Sequence, residues 1–519
     1  MKHEGGLLIQ YTKEQADRYI SDHKHEVREA YRLNYHLMPE LGWMNDPNGF
    51  IHYGGAYHLF YQHYPYASVW GPMHWGHAVS RDLISWEYLP VGLAPDMPYD
   101  SGGCFSGSAV EKDGTLVLMY TGHVVTGPDK DKDYYQTQSL AVSGDGVNFV
   151  KADANPVIGL QQIPEGVSRK DFRDPKVFER DGFYYAVLGS NDGRGNGLVL
   201  LYRSQDLLTW EFAGIPAKSD GSLGDNWECP DFFRLEGRDI LVMSPQRVPA
   251  QGDDYQNLHS TTYMIGDLDL AKGQFDYSLC RPVDYGFDFY APQTASDERG
   301  RRILIGWMDM WESGMPTQDG HHWAGAMTLP REVVLLDGDL RFRPVQEIEA
   351  YRTDPYELQG TALQGELELE TGGDSYELQV EFEARQASVF GVKLRTSSDE
   401  ETVVAYLAAE EKLVLNRNRS GTGPGGERRT EAVLERNRLA LRIFVDRSSV
   451  EVFIQGGRKV MTARIYPGEE SKGIKLFSEG ESFVAKLRKW DLAVPQPGSQ
   501  TQETLTADGA WQRPLRVKS

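Results

Sequence analysis

The sequence predicts an all-β protein: a five-bladed β-propeller, with a short helix before it and a second all-β domain after it. Three observations carry this. Five segments share a tight glycine turn followed by an apolar, β-rich strand: "GGAYHLFYQ" from Gly54, "DGTLVLMYTG" from Asp113, "DGFYYAVLGS" from Asp181, "GRDILVMSPQ" from Gly237 and "GRRILIGWMD" from Gly300. A second motif runs between them, "SRDLISWEY" from Ser80, "SGDGVNFVK" from Ser143 and "SQDLLTWEF" from Ser204, offset by 63 and then 61 residues. From about Tyr351 the repeat ends and period-2 strands take over, as in "YELQVEFEA", "VFGVKLRTS" and "RLALRIFVD". Five units of several short strands, with no long helix between them, suit sheets set radially around a channel. A plain sandwich accounts for the strands but not for the spacing.

The elements follow in order. Residues 1–35 form a helical lead, in which Thr12 and Gln15 make a capping box and Ala16, Tyr19, Ile20, Val27, Ala30 and Tyr31 recur at helical spacing. Residues 36–340 are the propeller, 341–355 a linker and 356–492 the second domain. Residues 493–519 are a polar tail rich in Pro, Gly, Ser and Gln, much of it expected to be mobile.

A formal net charge of -22 repels nucleic acid and anionic membranes at long range, so neither is an expected partner. The N-terminal stretch lacks the apolar run of a secretory signal, and no window approaches a membrane span. Cys104, Cys229 and Cys280 make neither a disulfide framework nor a Cys-x-x-Cys pair, which suits a reducing compartment. A cytoplasmic protein is expected. His74, His77, His321 and His322 lack the helical spacing or matched carboxylates of a metal site, and are read as rim or hydrogen-bonding residues. Cys229 has no paired histidine and is read as packing beside Glu228. "SGTGPGGERR" at 420–429 is a hairpin loop rather than a phosphate cradle, since no helix follows it.

The candidate site residues acquire meaning on the repeat grid. Asp46 lies nine residues before Gly55, Ser106 eight before Gly114, Asp174 eight before Gly182, Glu228 nine before Gly237 and Tyr290 ten before Gly300. If each glycine marks the turn after a blade's innermost strand, all five positions lie at one end of the central channel. Taken singly, each Asp-Pro is a turn former and Glu228 an exposed residue. Three independent turn formers have no reason to share a channel mouth.

Carboxylates gathered among aromatic residues suit glycoside hydrolysis. One acid must donate a proton to the leaving oxygen, and another must be ionised to attack or stabilise an oxocarbenium-like centre. Trp70, Trp75, Phe105, Trp307 and Trp311 are candidates to pack against sugar rings, and Asn45, Asn48, Gln62 and Arg173 to bind hydroxyls.

The motifs "WMNDPNG", "FSGS", "FRDPKV", "WECPD", "YGFDFYAPQ" and "MTLPRE", in this order across residues 42–332, resemble glycoside hydrolase family 32, the invertases, sucrose-6-phosphate hydrolases and fructan hydrolases. "LRIFVDRSSVEVFIQGG" and "KLRKWDL" resemble that family's second domain, which implies a C-terminal β-sandwich. The resemblance implies that Asp46 is the nucleophile, that Glu228 is the general acid and then the base, and that Asp174 with Arg173 holds sugar hydroxyls. It further implies that Asn45, Gln62, Trp70, Phe105, Ser106, Tyr290 and Trp307 shape the fructose subsite, with no metal and no organic cofactor. Where many members read Gln-Tyr-Asn-Pro, this chain has Gln62, His63, Tyr64 and Pro65.

Within the family the chain looks most like bacterial intracellular sucrose-6-phosphate hydrolases, which implies hydrolysis of sucrose 6-phosphate or sucrose through a fructosyl-enzyme. A fructan hydrolase or fructosyltransferase shares the chemistry and differs in the acceptor. An inverting five-bladed arabinan or xylan hydrolase needs more widely spaced carboxylates. A non-catalytic carbohydrate-binding propeller would have no need of the acid trio.

Overall fold

A computed structural model describes residues 11–495, together with a two-strand pairing at 504–505 and 511–512. The polar tail beyond 495 and the first ten residues otherwise lie outside the described residues. Thr12 caps the helix Lys13–His23 through the reciprocal box with Gln15 that the sequence predicts. The helix stops earlier than the apolar spacing suggests. After a 3-10 turn at Lys24–Glu26 the chain is extended at Val27, the Arg28 amide bonds to the His321 carbonyl, and Tyr31 has φ 67. Docking on the fifth blade overrides local periodicity there.

Five antiparallel sheets follow, each wound from the inside outward. Blade 1 comprises Gly42–Tyr53, Ala56–Tyr64, His74–Ser80 and Glu87–Leu93, and blade 2 Gly103–Lys112, Thr115–Val125, Tyr134–Ser143 and Val150–Lys151. Blade 3 comprises Phe172–Arg180, Phe183–Asn191, Gly197–Ser204 and Glu211–Lys218, and blade 4 Asn226–Leu235, Arg238–Gln246, Thr262–Asp269 and Gln274–Pro282. Blade 5 comprises Tyr290–Ser296, Arg302–Trp307, Arg331–Leu336 and Asp339–Pro344. Neighbouring inner strands touch around the ring, and the fifth touches the first. Trp323–Ala324, from within blade 5, adds a parallel strand to blade 1 at Gly42 and Trp43 and closes the circle.

The repeated glycine turns join each inner strand to the next. At Asp113-Gly114, Asp181-Gly182 and Glu236-Gly237 both residues have positive φ, the two-residue turn whose twist matches a hairpin. The Ser-x-Asp motif links the third and fourth strands. Asp82, Asp145 and Asp206 each accept two following backbone amides on one carboxylate oxygen. The next residue, Leu83, Gly146 or Leu207, has φ 69, 74 or 70. Two of these loops are pinned by a buried tryptophan, Trp86 or Trp210, donating to the Leu83 or Leu207 carbonyl. The sequence spacing therefore reports a repeated backbone.

Residues 341–355, expected as a linker, carry regular structure for most of their length: blade 5 runs to Pro344, a 3-10 helix covers Gln346–Tyr351, and the next strand starts at Arg352. The C-terminal β-sandwich is one hydrogen-bonded sheet folded into two layers. Gly473–Leu492, 20 residues long, pairs with Val389–Thr396 along its first half and with Ser375–Ala384 along its second, so it belongs to both layers. The layers enclose an apolar core including Leu378, Phe390, Val404, Ile443 and Leu476. Phe444, Phe453 and Val460 pack instead into the propeller's core. Buried ion pairs cross the same seam, Arg331 with Glu451 at 2.6 Å and Arg464 with Asp309 at 3.0 Å. Among the described residues no helix is long and apolar enough to cross a membrane.

Candidate active site

Each inner strand is interrupted at the same place. Its pairing shifts register between Met44 and Pro47, Phe105 and Gly107, Arg173 and Lys176, Glu228 and Asp231, and Tyr290 and Gln293. Four of these bulges contain a proline, Pro47, Pro175, Pro230 or Pro292, which has no amide for the ladder and is tolerated inside a sheet only at an edge or bulge. The fifth contains Gly107, where a Cβ would meet the Met119 carbonyl at 2.0 Å. Asp174, Cys229 and Ala291, each just before its proline, have φ 61, 47 and 50. A bulge bends the strand and re-aims its side chains. Here side chains from blades 1 to 4 turn into one cavity of about 360 Å³, within the usual range of small-molecule sites.

Asp46, Asp174 and Glu228 all line this cavity, with Asn45, Gln62, Trp70, Phe105, Ser106 and Arg173. Asp46 accepts hydrogen bonds from Ser106 Oγ at 2.7 Å and Cys229 Sγ at 3.4 Å on Oδ2, and from Asn45 Nδ2 at 3.0 Å on Oδ1. Trp43 Nε1 orients Asn45 through its Oδ1 at 2.7 Å. Asp174 Oδ2 accepts the Cys229 amide at 3.0 Å, and the same thiol lies 3.6 Å from it. Cys229 therefore joins the two aspartates rather than merely packing beside Glu228. Glu228 is held at both oxygens: Arg173 donates to Oε1 through Nε at 3.2 Å and Nη2 at 2.8 Å, while Gln246 Nε2 at 2.8 Å and Tyr290 OH at 2.6 Å donate to Oε2. A further carboxylate, Asp171, fixes Arg173 from behind at 2.7 Å.

Burial, followed by the Glu228 charge, raises the Asp46 pKa above the ordinary carboxylate value, against the pull of its three donors. Burial raises Asp174 as well, to about 7, against the attraction of Arg173 and with the charges of Glu228 and Asp46 adding to the rise.

Several expected residues lie elsewhere. Trp307 is fully buried behind Trp43 and Trp311, and it is Trp311 that lines the cavity. Tyr290 is also buried and acts from the cavity's edge through Glu228. Trp75 sits in the core between blades 1 and 2 and donates to the Phe105 carbonyl at 3.1 Å. Asn48 accepts the Gly107 amide at 3.2 Å and ties the same two blades together. His74 and His77 are buried, their pKa values pushed down first by burial. Among the described residues no group of three His, Cys, Asp or Glu side chains is arranged to hold a metal ion.

The structure adds residues that the motifs did not single out. His123 stacks on Phe105, with centroids 4.3 Å apart, and burial then Arg173 lower its pKa to about 4. Gln136, Tyr134, Lys130, Gln246, Arg247 and His259 also line the cavity. Polar groups on a mostly preformed wall, aromatic faces beside them and a cluster of acids can bind a sugar and exchange protons with it.

The model of the glycosyl hydrolases family 32 N-terminal domain matches residues 36–344, and that of the family 32 C-terminal domain matches 347–491. A raffinose invertase from Escherichia coli is 40% identical over 468 residues, covering 88% of this chain and 94% of its own. A sucrose-6-phosphate hydrolase from Escherichia coli is 39% identical over 482 residues, covering 90% and 96%. The solved structure of a mutant β-fructofuranosidase from Bombyx mori in complex with sucrose superimposes with a TM-score of 0.82 at 38% identity, covering 93% and 99%.

Proposed function

The chain belongs to glycosyl hydrolase family 32, and from that premise we propose that it is a retaining β-fructofuranosidase releasing fructose from sucrose 6-phosphate and sucrose. The observation that carries the reading is the convergence of Asp46, Asp174 and Glu228 from three blades into one sugar-sized cavity.

Asp46 attacks the anomeric carbon of the fructosyl unit, and Glu228 gives a proton to the departing glucosyl oxygen. A fructosyl-enzyme ester results, which water, deprotonated by Glu228, then hydrolyses. Ser106, Asn45 and the Cys229 thiol disperse the Asp46 charge and fix the direction of attack. Asp174, held by the Cys229 amide, accepts hydrogen bonds from fructose hydroxyls. Trp70, 48% exposed and edge-on to Phe105, offers its face to the sugar ring. The free thiols Cys104, Cys229 and Cys280 suit a reducing compartment, and we place the enzyme in the cytoplasm.

Asp46→Asn removes the attacking charge with little change in shape. Fructose release from sucrose should fall by about a thousandfold or more, with the melting temperature retained. Undiminished turnover by the folded variant sinks the assignment, and an α-configured first product, seen by NMR, sinks retention.

A further inference from the structure

We propose that Lys130 and Arg247 form an anion-binding subsite on the leaving-group side of Glu228, built for a phosphate carried by the glucosyl unit. This rests on the fructofuranosidase reading, in which the glucosyl oxygen departs beside Glu228.

The cavity is asymmetric in charge. Around Asp46 the wall is neutral and aromatic, made of Asn45, Gln62, Trp70, Phe105 and Ser106. The lining lysine and second arginine reach the cavity from segments anchored to Glu228. Arg247 directly follows Gln246, whose amide holds Oε2 at 2.8 Å. Lys130 sits on the loop of residues 126–133, which leads into Tyr134. The Tyr134 hydroxyl donates to Asp171 at 3.0 Å, and Asp171 fixes the Arg173 that holds Oε1. Both cations therefore line the cavity on segments that also anchor Glu228, beside which the glucosyl oxygen departs.

Both have charge to offer. Among the described residues Arg247 is anchored through Nε, to Asp225 at 2.6 Å, which fixes the guanidinium plane and leaves its Nη donors for a second oxyanion. Its backbone is held at φ 55, a costly conformation for a residue with a side chain, in a loop closed by the Val248 amide on the Leu258 carbonyl at 2.9 Å. On the opposite loop Asp129 is engaged by Lys132 at 3.0 Å rather than by Lys130. A phosphate dianion meeting one bidentate arginine and one lysine is a recurrent recognition arrangement. Asp131 lines the cavity beside Lys130, so the two cations act as local partners for an anion in a site that is otherwise acidic, in a chain of net charge -22.

The test is calorimetric titration of the enzyme and its Lys130→Ala, Arg247→Ala and doubly substituted variants with glucose 6-phosphate and with glucose. Alongside it, the ratio of kcat/KM for sucrose 6-phosphate to that for sucrose is measured. Glucose 6-phosphate should bind at least about tenfold tighter than glucose, each substitution should erase most of that gap, and the substrate ratio should fall in parallel. Arg247→Lys should recover only part of it. An equal affinity for the two sugars, or a gap untouched by the double substitution, overturns the subsite. Tight glucose 6-phosphate binding without fructose release from either substrate would instead overturn the catalytic reading and leave the subsite standing.

Discussion

Ser106 on blade 2 donates a 2.7 Å hydrogen bond to Asp46 Oδ2 on blade 1, so the proposed nucleophile is held across the gap between two sheets. Ser106 is one of the donors that oppose the upward push of burial and of Glu228 on the Asp46 pKa. Attack requires the ionised carboxylate. Removing the donor raises that pKa further, so the acid limb of the kcat/KM profile should move to higher pH in Ser106→Ala. A hydrogen bond to a charged group is worth about 1.5–3 kcal/mol, so kcat should fall by about tenfold or more. A profile with an unmoved acid limb would show that Ser106 does not act through Asp46.

Tyr290 gives Glu228 one of the two hydrogen bonds at Oε2, at 2.6 Å, from a fully buried position. Tyr290→Phe keeps the ring and deletes the donor, while Gln246 still holds the same oxygen at 2.8 Å. Turnover should fall by about tenfold, as for one charge-assisted hydrogen bond, with KM for sucrose changed much less. Steady-state kinetics on sucrose checks it, and a loss confined to KM would count against the role.

His36 is wedged between two buried carboxylates of the second domain, Asp446 at 2.8 Å and Glu451 at 3.0 Å. Burial alone would lower its pKa, but the hydrogen bonds and charges of both acids more than offset this, and the folded value lies above 6.5. Stability from the charged imidazole is thus fully present below about pH 6.5 and is lost as pH rises through the folded value. Breaking a buried ion pair costs about 3–5 kcal/mol, so His36→Gln should melt well below the parent at pH 6. The gap should narrow steadily toward pH 9. Thermal melts of both proteins across that range decide it, and a gap constant with pH would mean that His36 is neutral.

Much of this architecture was legible because the repeat leaves a physical trace. The turn glycines and the Ser-x-Asp loops recur because their backbones require positive φ and a carboxylate that accepts two amides, and those requirements select residue types. The carboxylates were legible on the same grid. Their convergence at the channel mouth was read there too, but the bulged strands that turn them inward were not, although Pro47, Pro175, Pro230 and Pro292 marked the bulges: proline inside a strand reads as a turn until its partner strand is known. His123 and Gln246 lie nine residues after the turn glycines Gly114 and Gly237, at the channel end of each second strand, so the grid held them too. Trp307 shows the limit. Whether a tryptophan faces sugar or packs behind another ring depends on neighbours such as Trp43 and Trp311, which only the fold brings together.

The second domain reaches the site's outer wall at residues 256–258. Gln256 pairs its side-chain amide with the backbone of Arg429, accepting from the amide at 3.0 Å and donating to the carbonyl at 2.7 Å. Next to it the Arg428 guanidinium grips Asn257 Oδ1 through Nε at 2.9 Å and Nη2 at 2.7 Å. On the propeller side the Leu258 amide donates to Glu312, the neighbour of Trp311, at 2.8 Å. The loop carrying Arg247 and His259 into the cavity is thereby clamped from outside, and Arg428 is a positioning residue for that wall. Arg428→Ala should raise KM for sucrose several-fold, with a smaller change in kcat, because the acids on blades 1, 3 and 4 keep their own bonds. Arg428→Lys should not restore KM, since a single ammonium cannot reproduce the two-pronged grip. A variant that melts earlier but shows the parent's kinetic constants at 25 °C would reduce Arg428 to a purely structural contact.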